Sequence, residues 1–334
     1  QINIFAHKMD VSGVDGEKPS EVASVGAVDN SQSEQKQQEV DGTTLEAAEV
    51  LIKDDDAVVK EDTEVKEDTE VKQQSSSSSS SSENSGTCVC VTGCNGFIAY
   101  YIIALLIQRG YTVHGTMRSL KNEAKYAHLK NIPKVKIGQN LKFFEAELTK
   151  KGSFDKAMAG CTYCCHVASP LIFGSKDPIN QVIKPAKSGV QYVFDAALQA
   201  GVKHIVQTSS VSAMYCYPDD EKSKTYNEDS WNHVSTAKKG TYQFSKTIAE
   251  KHAWALHKQN KDKIGLSVIN PAMVLGPISN SYRLSESVQT IYEMWTGKFP
   301  GAPKLYFGCV DVREVAMAHV LAMEKAAIGR FVCR

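Results

Sequence analysis

From Thr87 onward the chain alternates between two textures. Short β-branched or Cys-rich apolar runs are followed by longer stretches whose apolar residues recur at helical spacing. Cys88–Thr92 is the first such run and predicts a buried strand. Gly93-Cys-Asn-Gly96 punctuates it as a turn. Phe97 to Arg109 predicts a helix stopped by Gly110, and Tyr111 to Met117 the next strand. Strand, turn, helix and strand within about 30 residues form a βαβ unit, which requires a parallel sheet. The alternation then repeats. Strands are predicted at 141–144, 163–168, 204–208 and 266–270, and helices at 153–159, 183–200 and 242–257, with a further helix carrying Tyr126 after the second strand. The fold class is therefore α/β, a doubly wound parallel sheet with helices on both faces.

Residues 1–86 have a different pattern, or rather none. They are poor in aromatics and rich in Glu, Asp, Lys, Gln and Ser. Glu-Asp-Thr-Glu-Val-Lys occurs twice in tandem, at 61–66 and 67–72, and Ser75 to Ser82 is an unbroken Ser run. Such a segment cannot bury enough apolar surface to offset its ordering entropy, so 1–86 is expected to be a disordered tail. One short helix at 44–52 would be marginal alone. The domain proper is 87–334. Charge sharpens this division. The whole chain is neutral, yet 1–86 carry twenty Asp/Glu against seven Lys, a net of −13, so the remainder carries +13. A basic domain suits an anionic ligand such as a phosphorylated cofactor. The chain has no Lys/Arg-rich run of the kind that reads as a nucleic-acid partner.

Four motifs carry chemistry. In Thr92-Gly93-Cys94-Asn95-Gly96-Phe97-Ile98-Ala99, Gly93 permits the tight turn and Gly96 lets the backbone approach a pyrophosphate. The helix N-terminus then offers free N–H groups to the phosphates. Arg118, just past the second strand, stands where an acidic residue would bind an NAD ribose. An Arg there can pair with the 2′-phosphate of NADP, and Lys125 adds charge. Tyr242 and Lys246 share one helix face at i and i+4, where an ammonium would pull the phenol toward working pH for proton transfer. Gln207-Thr-Ser-Ser210 closes a strand at its C-terminal end, where a hydroxyl can polarise a substrate carbonyl.

All nine Cys lie from Cys88 onward. Cys88, Cys90 and Cys94, then Cys161, Cys164 and Cys165 beside His166, look superficially like metal pairs. They fall in apolar runs instead, without the spacing of a zinc site, and read as small core residues. No metal is expected. No secretory signal precedes them, and the longest apolar run, Phe97 to Ile107, is too short to span a bilayer. A reducing, cytoplasmic setting without a membrane partner is expected.

Together these residues resemble the extended short-chain dehydrogenase/reductases, a Rossmann-type family. The likeness is greatest to the dihydroflavonol reductase and cinnamoyl-CoA reductase group. It is carried by Val91-Thr-Gly-Cys-Asn-Gly-Phe-Ile-Ala99, Val113-His-Gly-Thr-Met-Arg118, Gly152-Ser-Phe-Asp155, Cys165-His-Val-Ala-Ser-Pro170 and Lys176-Asp-Pro178. Thr208-Ser-Ser210, Tyr242-x3-Lys246, Asn270-Pro-Ala-Met-Val-Leu-Gly-Pro277 and Val310-Asp-Val-Arg-Glu-Val-Ala316 extend it. The resemblance implies Ser210, Tyr242 and Lys246 as the catalytic set. It implies NADP(H) held by Gly93, Asn95, Gly96, Phe97, Ile98, Arg118, Lys125, Glu147, Leu148, Tyr242, Lys246 and Pro271, and substrate held by Ser169 and Tyr215.

Glu147-Leu148 stands where relatives show Asp-Leu. Tyr215 replaces the Asn of flavonoid reductases, and Lys-Lys-Gly-Thr precedes Tyr242 in place of the cinnamoyl-CoA reductase signature. Relatives continue past Phe331-Val-Cys-Arg334, which implies a C-terminally incomplete substrate lobe. The expectation is an NADPH-dependent reductase of a small aldehyde or ketone, acting as a monomer or homodimer. A nucleotide-sugar epimerase or dehydratase with tightly held NAD and a non-catalytic NADP-binding redox sensor are the rivals. Arg118 weighs against the first and Tyr242 against the second.

Overall fold

A computed structural model describes residues 84–170, 174–216, 225–279, 284–299 and 308–334. The tail expected over 1–86, with its short helix at 44–52, lies outside the described residues apart from 84–86. The elements run β1 (Cys88–Thr92), α1 (Phe97–Gln108), β2 (Thr112–Met117), β3 (Leu141–Glu145), α2 (Asp155–Met158), β4 (Tyr163–His166), α3 (Lys184–Ala200) and β5 (His204–Thr208). They continue with α4 (Thr241–Gln259), β6 (Gly265–Pro271), β7 (Met273–Leu275), α5 (Glu286–Trp295), β8 (Cys309–Asp311), α6 (Val312–Glu324) and β9 (Gly329–Cys333). Seven strands make one sheet in the order β3-β2-β1-β4-β5-β6-β9, every neighbouring pair parallel. β7 and β8 form a separate parallel pair.

Every residue of β1 is buried, as a strand covered on both faces must be. Its side chains alternate between two cores. Val89 and Val91 belong to one core with Ile102, Ile103 and Leu106 of α1 and Val315 and Val320 of α6. Cys90 meets Val193 and Phe194 of α3 and Ala253 of α4. In α1, Ala99, Ile102, Ile103, Leu106 and Ile107 are buried, the i, i+3, i+4, i+7, i+8 stripe of a helix laid on a sheet.

The structure corrects the expected elements in several places. Tyr126 is not on an α-helix. It lies between two short 3-10 turns, Glu123–Lys125 and Ala127–Asn131. Its ring packs 5.2 Å from that of Phe143, and its hydroxyl donates to the Leu120 carbonyl at 3.3 Å. β4 ends at His166 and not Ala168, because the N–H groups of Val167 and Ala168 turn onto the Thr92 hydroxyl. α3 is preceded by a wide turn, Ile179–Ile183, and ends at Gly201, whose φ of 72° only glycine adopts freely. The half-exposed edge strand β9 was not anticipated. Among the described residues, no helix is long and apolar enough to cross a membrane.

His166, His204 and His319 are among the buried histidines of the described residues. His204 Nε2 donates to Ser267 Oγ at 2.7 Å, and that hydroxyl in turn donates to the Ala327 carbonyl. His319 Nδ1 donates to the Val315 carbonyl at 2.7 Å, so its Nε2 accepts from Thr208 Oγ1, also at 2.7 Å. Burial depresses both, to about 4, and depresses His166 to about 3. The sign follows from linkage. Below pH 6.5 the unfolded chain takes up protons that these folded imidazoles refuse, so stability is full above that pH and is lost as pH falls toward 4. The two histidines near 4 would each forfeit about 2 kcal/mol at pH 5. The urea midpoint should therefore fall between pH 7 and pH 5, and fall less in a His204→Gln/His319→Gln variant. A midpoint that does not move over that range would contradict buried neutral imidazoles.

Candidate active site

Strand order locates the site. β2 and β3 lead away from β1 on one side, and β4, β5, β6 and β9 on the other. The chain's direction of winding reverses between β1 and β4, and ligands of such sheets bind outside the strand carboxyl ends at that reversal. Thr92 stitches the two loops together there. Its hydroxyl accepts from Val167 and Ala168 N–H, both at 3.0 Å, and so donates to His166 Nδ1 at 2.9 Å.

The turn after β1 is shaped by glycine. Gly93 has φ 66°, and a Cβ on it would stand 3.1 Å from the Ala168 Cα. A Cβ on Gly96 would meet the Gly93 carbonyl at 3.1 Å. Gly96 caps α1 in extended conformation, with no side chain bonded to the first turn. The leading N–H groups of α1, at Phe97 and Ile98, are thus left to an outside acceptor. Asn95 is half-buried in the same turn. This cradle, which a methyl group would fill, fits a dinucleotide pyrophosphate. Arg118 and Lys125 are both exposed, Arg118 just beyond β2 and Lys125 on the following 3-10 turn. Glu145 of β3 accepts from the Leu120 N–H at 2.7 Å and so fixes the loop that carries Arg118. Glu147 is exposed, its backbone tied to Ser153 Oγ. Leu148 turns inward onto Gly189 of α3, where a Cβ would meet it at 2.6 Å.

On the other side of the crevice Ser210 follows β5. Its Oγ accepts from Ser212 N–H at 3.1 Å and also hydrogen-bonds Tyr242. Tyr242 is the second residue of α4. Lys246, one turn on, puts its Nζ 5.8 Å from the Tyr242 ring centre. The sequence led us to expect a lowered phenol. Here it is raised, because burial outweighs the Ser210 hydrogen bond that pulls it down. Lys246 is lowered to about 8 by burial, against the opposing charge of Glu250. A cleft wall gathers Leu148, His166, Ser169, Pro170, Thr208 and Lys246. Pro271 is buried at the end of β6. Tyr215 stands apart from that wall, its ring 5.0 Å from Tyr226.

Sequence reasoning missed the group beneath this site. Glu250 lies one turn past Lys246 and is wholly buried. Arg330 Nε of β9 donates to its Oε1 at 2.5 Å. Ser209 Oγ and Asn270 Nδ2 donate to its Oε2 at 2.5 and 2.8 Å. Asn270 Nδ2 also reaches the Ser210 carbonyl at 3.2 Å. Arg330 stacks 4.0 Å from the Trp231 ring centre and donates to the carbonyls of Glu228 and Ser230, both at 2.6 Å. The visible signal was spacing, since Tyr242, Lys246 and Glu250 follow one another at i, i+4 and i+8.

With this geometry in place, comparison with known proteins decides the family. A profile described as "NAD dependent epimerase/dehydratase family" matches residues 89–332. The chain belongs to the NAD-dependent epimerase/dehydratase family. Cinnamoyl-CoA reductase 1 of Arabidopsis thaliana is 36% identical over 250 residues, covering 74% of this chain and 70% of that protein. An anthocyanidin reductase ((2S)-flavan-3-ol-forming) of Vitis vinifera is 35% identical over 258 residues, covering 73% and 75%. Among solved structures, the yeast methylglyoxal/isovaleraldehyde reductase complexed with NADPH superposes with a TM-score of 0.66 at 30% identity, covering 74% of this chain and 78% of that one. The match to the epimerase/dehydratase family runs from β1 to β9, so it includes both the glycine turn and Arg330.

A buried ion pair broken on one side leaves an uncompensated charge, at a cost of about 3–5 kcal/mol. Glu250→Ala should lower stability by that order in urea denaturation, and a Glu250→Leu/Arg330→Met double variant should recover most of it. A loss below about 1 kcal/mol for Glu250→Ala, the range of exposed pairs, would show that the pair is solvated.

Proposed function

We propose that this protein is an NADPH-dependent reductase of an aldehyde or ketone carbonyl. The observation that carries the proposal is the convergence of Ser210, Tyr242 and Lys246 on the carboxyl side of the sheet. Ser210 is bonded to the Tyr242 hydroxyl, and the Lys246 ammonium is held one turn behind it. NADPH, when bound, supplies the hydride. The protein's own groups do the rest. The turn at Gly93 and Gly96 and the start of α1 take the pyrophosphate, while Arg118, with Lys125, takes the 2′-phosphate. Lys246 holds the nicotinamide ribose. Ser210 donates a hydrogen bond to the substrate oxygen, and Tyr242 gives that oxygen its proton as the carbonyl becomes an alcohol.

The raised phenol suits this direction of reaction, since a donor must be protonated at working pH. Ser169 lines the same cleft wall as Lys246, and in this reading it touches substrate. The relatives named above are themselves reductases by name, and one was solved with NADPH. That likeness supports reduction over the rival chemistries of the same fold.

The test is oxidation of NADPH, compared with NADH, over a panel of aldehydes, ketones, a dihydroflavonol and a cinnamoyl thioester. Tyr242→Phe should lower kcat by about 10²–10⁴, the usual worth of a positioned proton donor. A Phe variant as active as the parent would overturn the assignment.

The pH profile gives a second check. The Lys246 ammonium is present below about 8 and lost above it, so kcat/KM should fall as pH rises through that value. In Lys246→Arg, a cation that does not titrate, any remaining activity should lack this basic limb. A limb that persists in that variant would assign it to another group.

A further inference from the structure

At the other end of β1, three side chains from separate segments converge. Cys88 opens β1, His114 lies on β2, and Cys161 precedes β4. The two Sγ atoms are 3.2 Å apart, and Cys161 Sγ is 3.4 Å from His114 Nδ1. One ligand atom from each residue lies within 4.8 Å of the others. Both thiols are buried, and His114 is half-buried and gives the cluster a side toward solvent. We propose that Cys88, His114 and Cys161 form a site for one thiophilic d10 cation, such as Zn²⁺, with water as the fourth ligand.

The distances carry this. A tetrahedral zinc with sulfurs at about 2.3 Å and nitrogen at about 2.0 Å separates sulfur from sulfur by about 3.8 Å and sulfur from nitrogen by about 3.5 Å. The Cys161 sulfur, 3.4 Å from Nδ1, is already near that spacing, and the Cys88 sulfur lies within 4.8 Å of both other ligand atoms. The sulfurs need to open by about half an ångström, within the reach of a small rotamer change. Two thiolates and a neutral imidazole are the ligand set that soft divalent zinc prefers. Binding balances as Zn²⁺ displacing two thiol protons, while the imidazole proton moves from Nδ1 to Nε2. The Ala157 carbonyl accepts from Nδ1 at 2.9 Å, so metal binding requires the imidazole to turn Nδ1 from that carbonyl toward the sulfurs. The resulting centre is neutral, so the charge of Lys142, felt by both Cys88 and His114, does not repel it.

The role is structural. Cys88 is four residues from Thr92, about 13 Å along an extended strand, and so stands at the opposite end of the strands from the dinucleotide cradle. The metal would clip β1, β2 and the lead-in to β4 at one point.

The experiment uses the full chain, reduced and stripped of metal, with Zn²⁺ titrated against a chromophoric chelator and Co²⁺ as optical probe. One equivalent of Zn²⁺ should bind with a Kd below about 10 µM, and Co²⁺ should give tetrahedral bands with thiolate-to-metal charge transfer. Cys88→Ser and Cys161→Ser should each weaken Zn²⁺ by at least about tenfold, and Cys309→Ser, at an exposed thiol, should not. Absence of binding, unchanged affinity in both variants, a Co²⁺ spectrum without thiolate charge transfer, or a Cys88–Cys161 disulfide formed in place of the complex would each overturn the proposal. The Co²⁺ spectrum of the parent keeps the test decisive should a serine variant fail to fold.

Discussion

The arrangement rests on one buried carboxylate. Glu250 has no exposed surface, and a charge so placed survives only if it is fully partnered. Its partners come from four places: Arg330 on β9, Asn270 on β6, Ser209 after β5, and through space Lys246 on its own helix. Satisfying one side chain therefore fixes the last strand against β6, sets the end of β5, and orients the face of α4 that carries Tyr242. Arg330 passes the constraint outward, because the same guanidinium grips the carbonyls of Glu228 and Ser230 and stacks on Trp231. The segment 228–231 is thereby held against β9.

The dinucleotide side is organised by a neutral group instead. Thr92 spends both lone pairs on the N–H groups of Val167 and Ala168 and its proton on His166. His166 can accept only while neutral, and burial together with the Lys246 charge keeps it so. The loops after β1 and β4 are thus joined through uncharged groups. The sheet's winding reversal opens the crevice, and Gly93 allows the two loops to approach as closely as they do.

What was legible in the sequence was local. The run Cys88–Thr92, the Gly93–Gly96 turn and the apolar stripe of α1 are each written in consecutive residues, and each formed as expected. The Tyr242–Lys246 pairing is likewise a matter of helix period. Whatever depended on contacts between distant segments was not legible. Glu250 and Arg330 are 80 positions apart, and nothing near either marks the pair. The helix expected at Tyr126 failed because Tyr126 and Leu129, three apart, suit a 3-10 turn against β3 better than an α-helical stripe. The Cys groups were correctly placed in buried runs, yet their spacing along the chain hid the cluster of Cys88, His114 and Cys161. Cys88 and Cys161 meet across β1 and β4, and His114 joins them from β2. For Tyr242 the sequence shows the neighbouring Lys, expected to draw the phenol down together with an oxidised nicotinamide, but not the burial that raises it against the Ser210 hydrogen bond.

That Glu250 is ionic at all requires a reason beyond stability. A buried ion pair is often no better for the fold than apolar side chains of the same volume, since desolvation consumes the Coulombic gain. Leucine and methionine in place of Glu250 and Arg330 would fill the space. They would not oppose the burial of Lys246. With the carboxylate present, that lysine is held at about 8, because the negative charge of Glu250 offsets part of the burial. Without it the amine would lose its proton at a lower pH, and the proposed function needs an ammonium there to steady the ribose and the phenol. The carboxylate is thus better understood as a fixed counter-charge for Lys246 than as a contribution to folding. The donors on Ser209, Asn270 and Arg330 are what allow the interior to contain it.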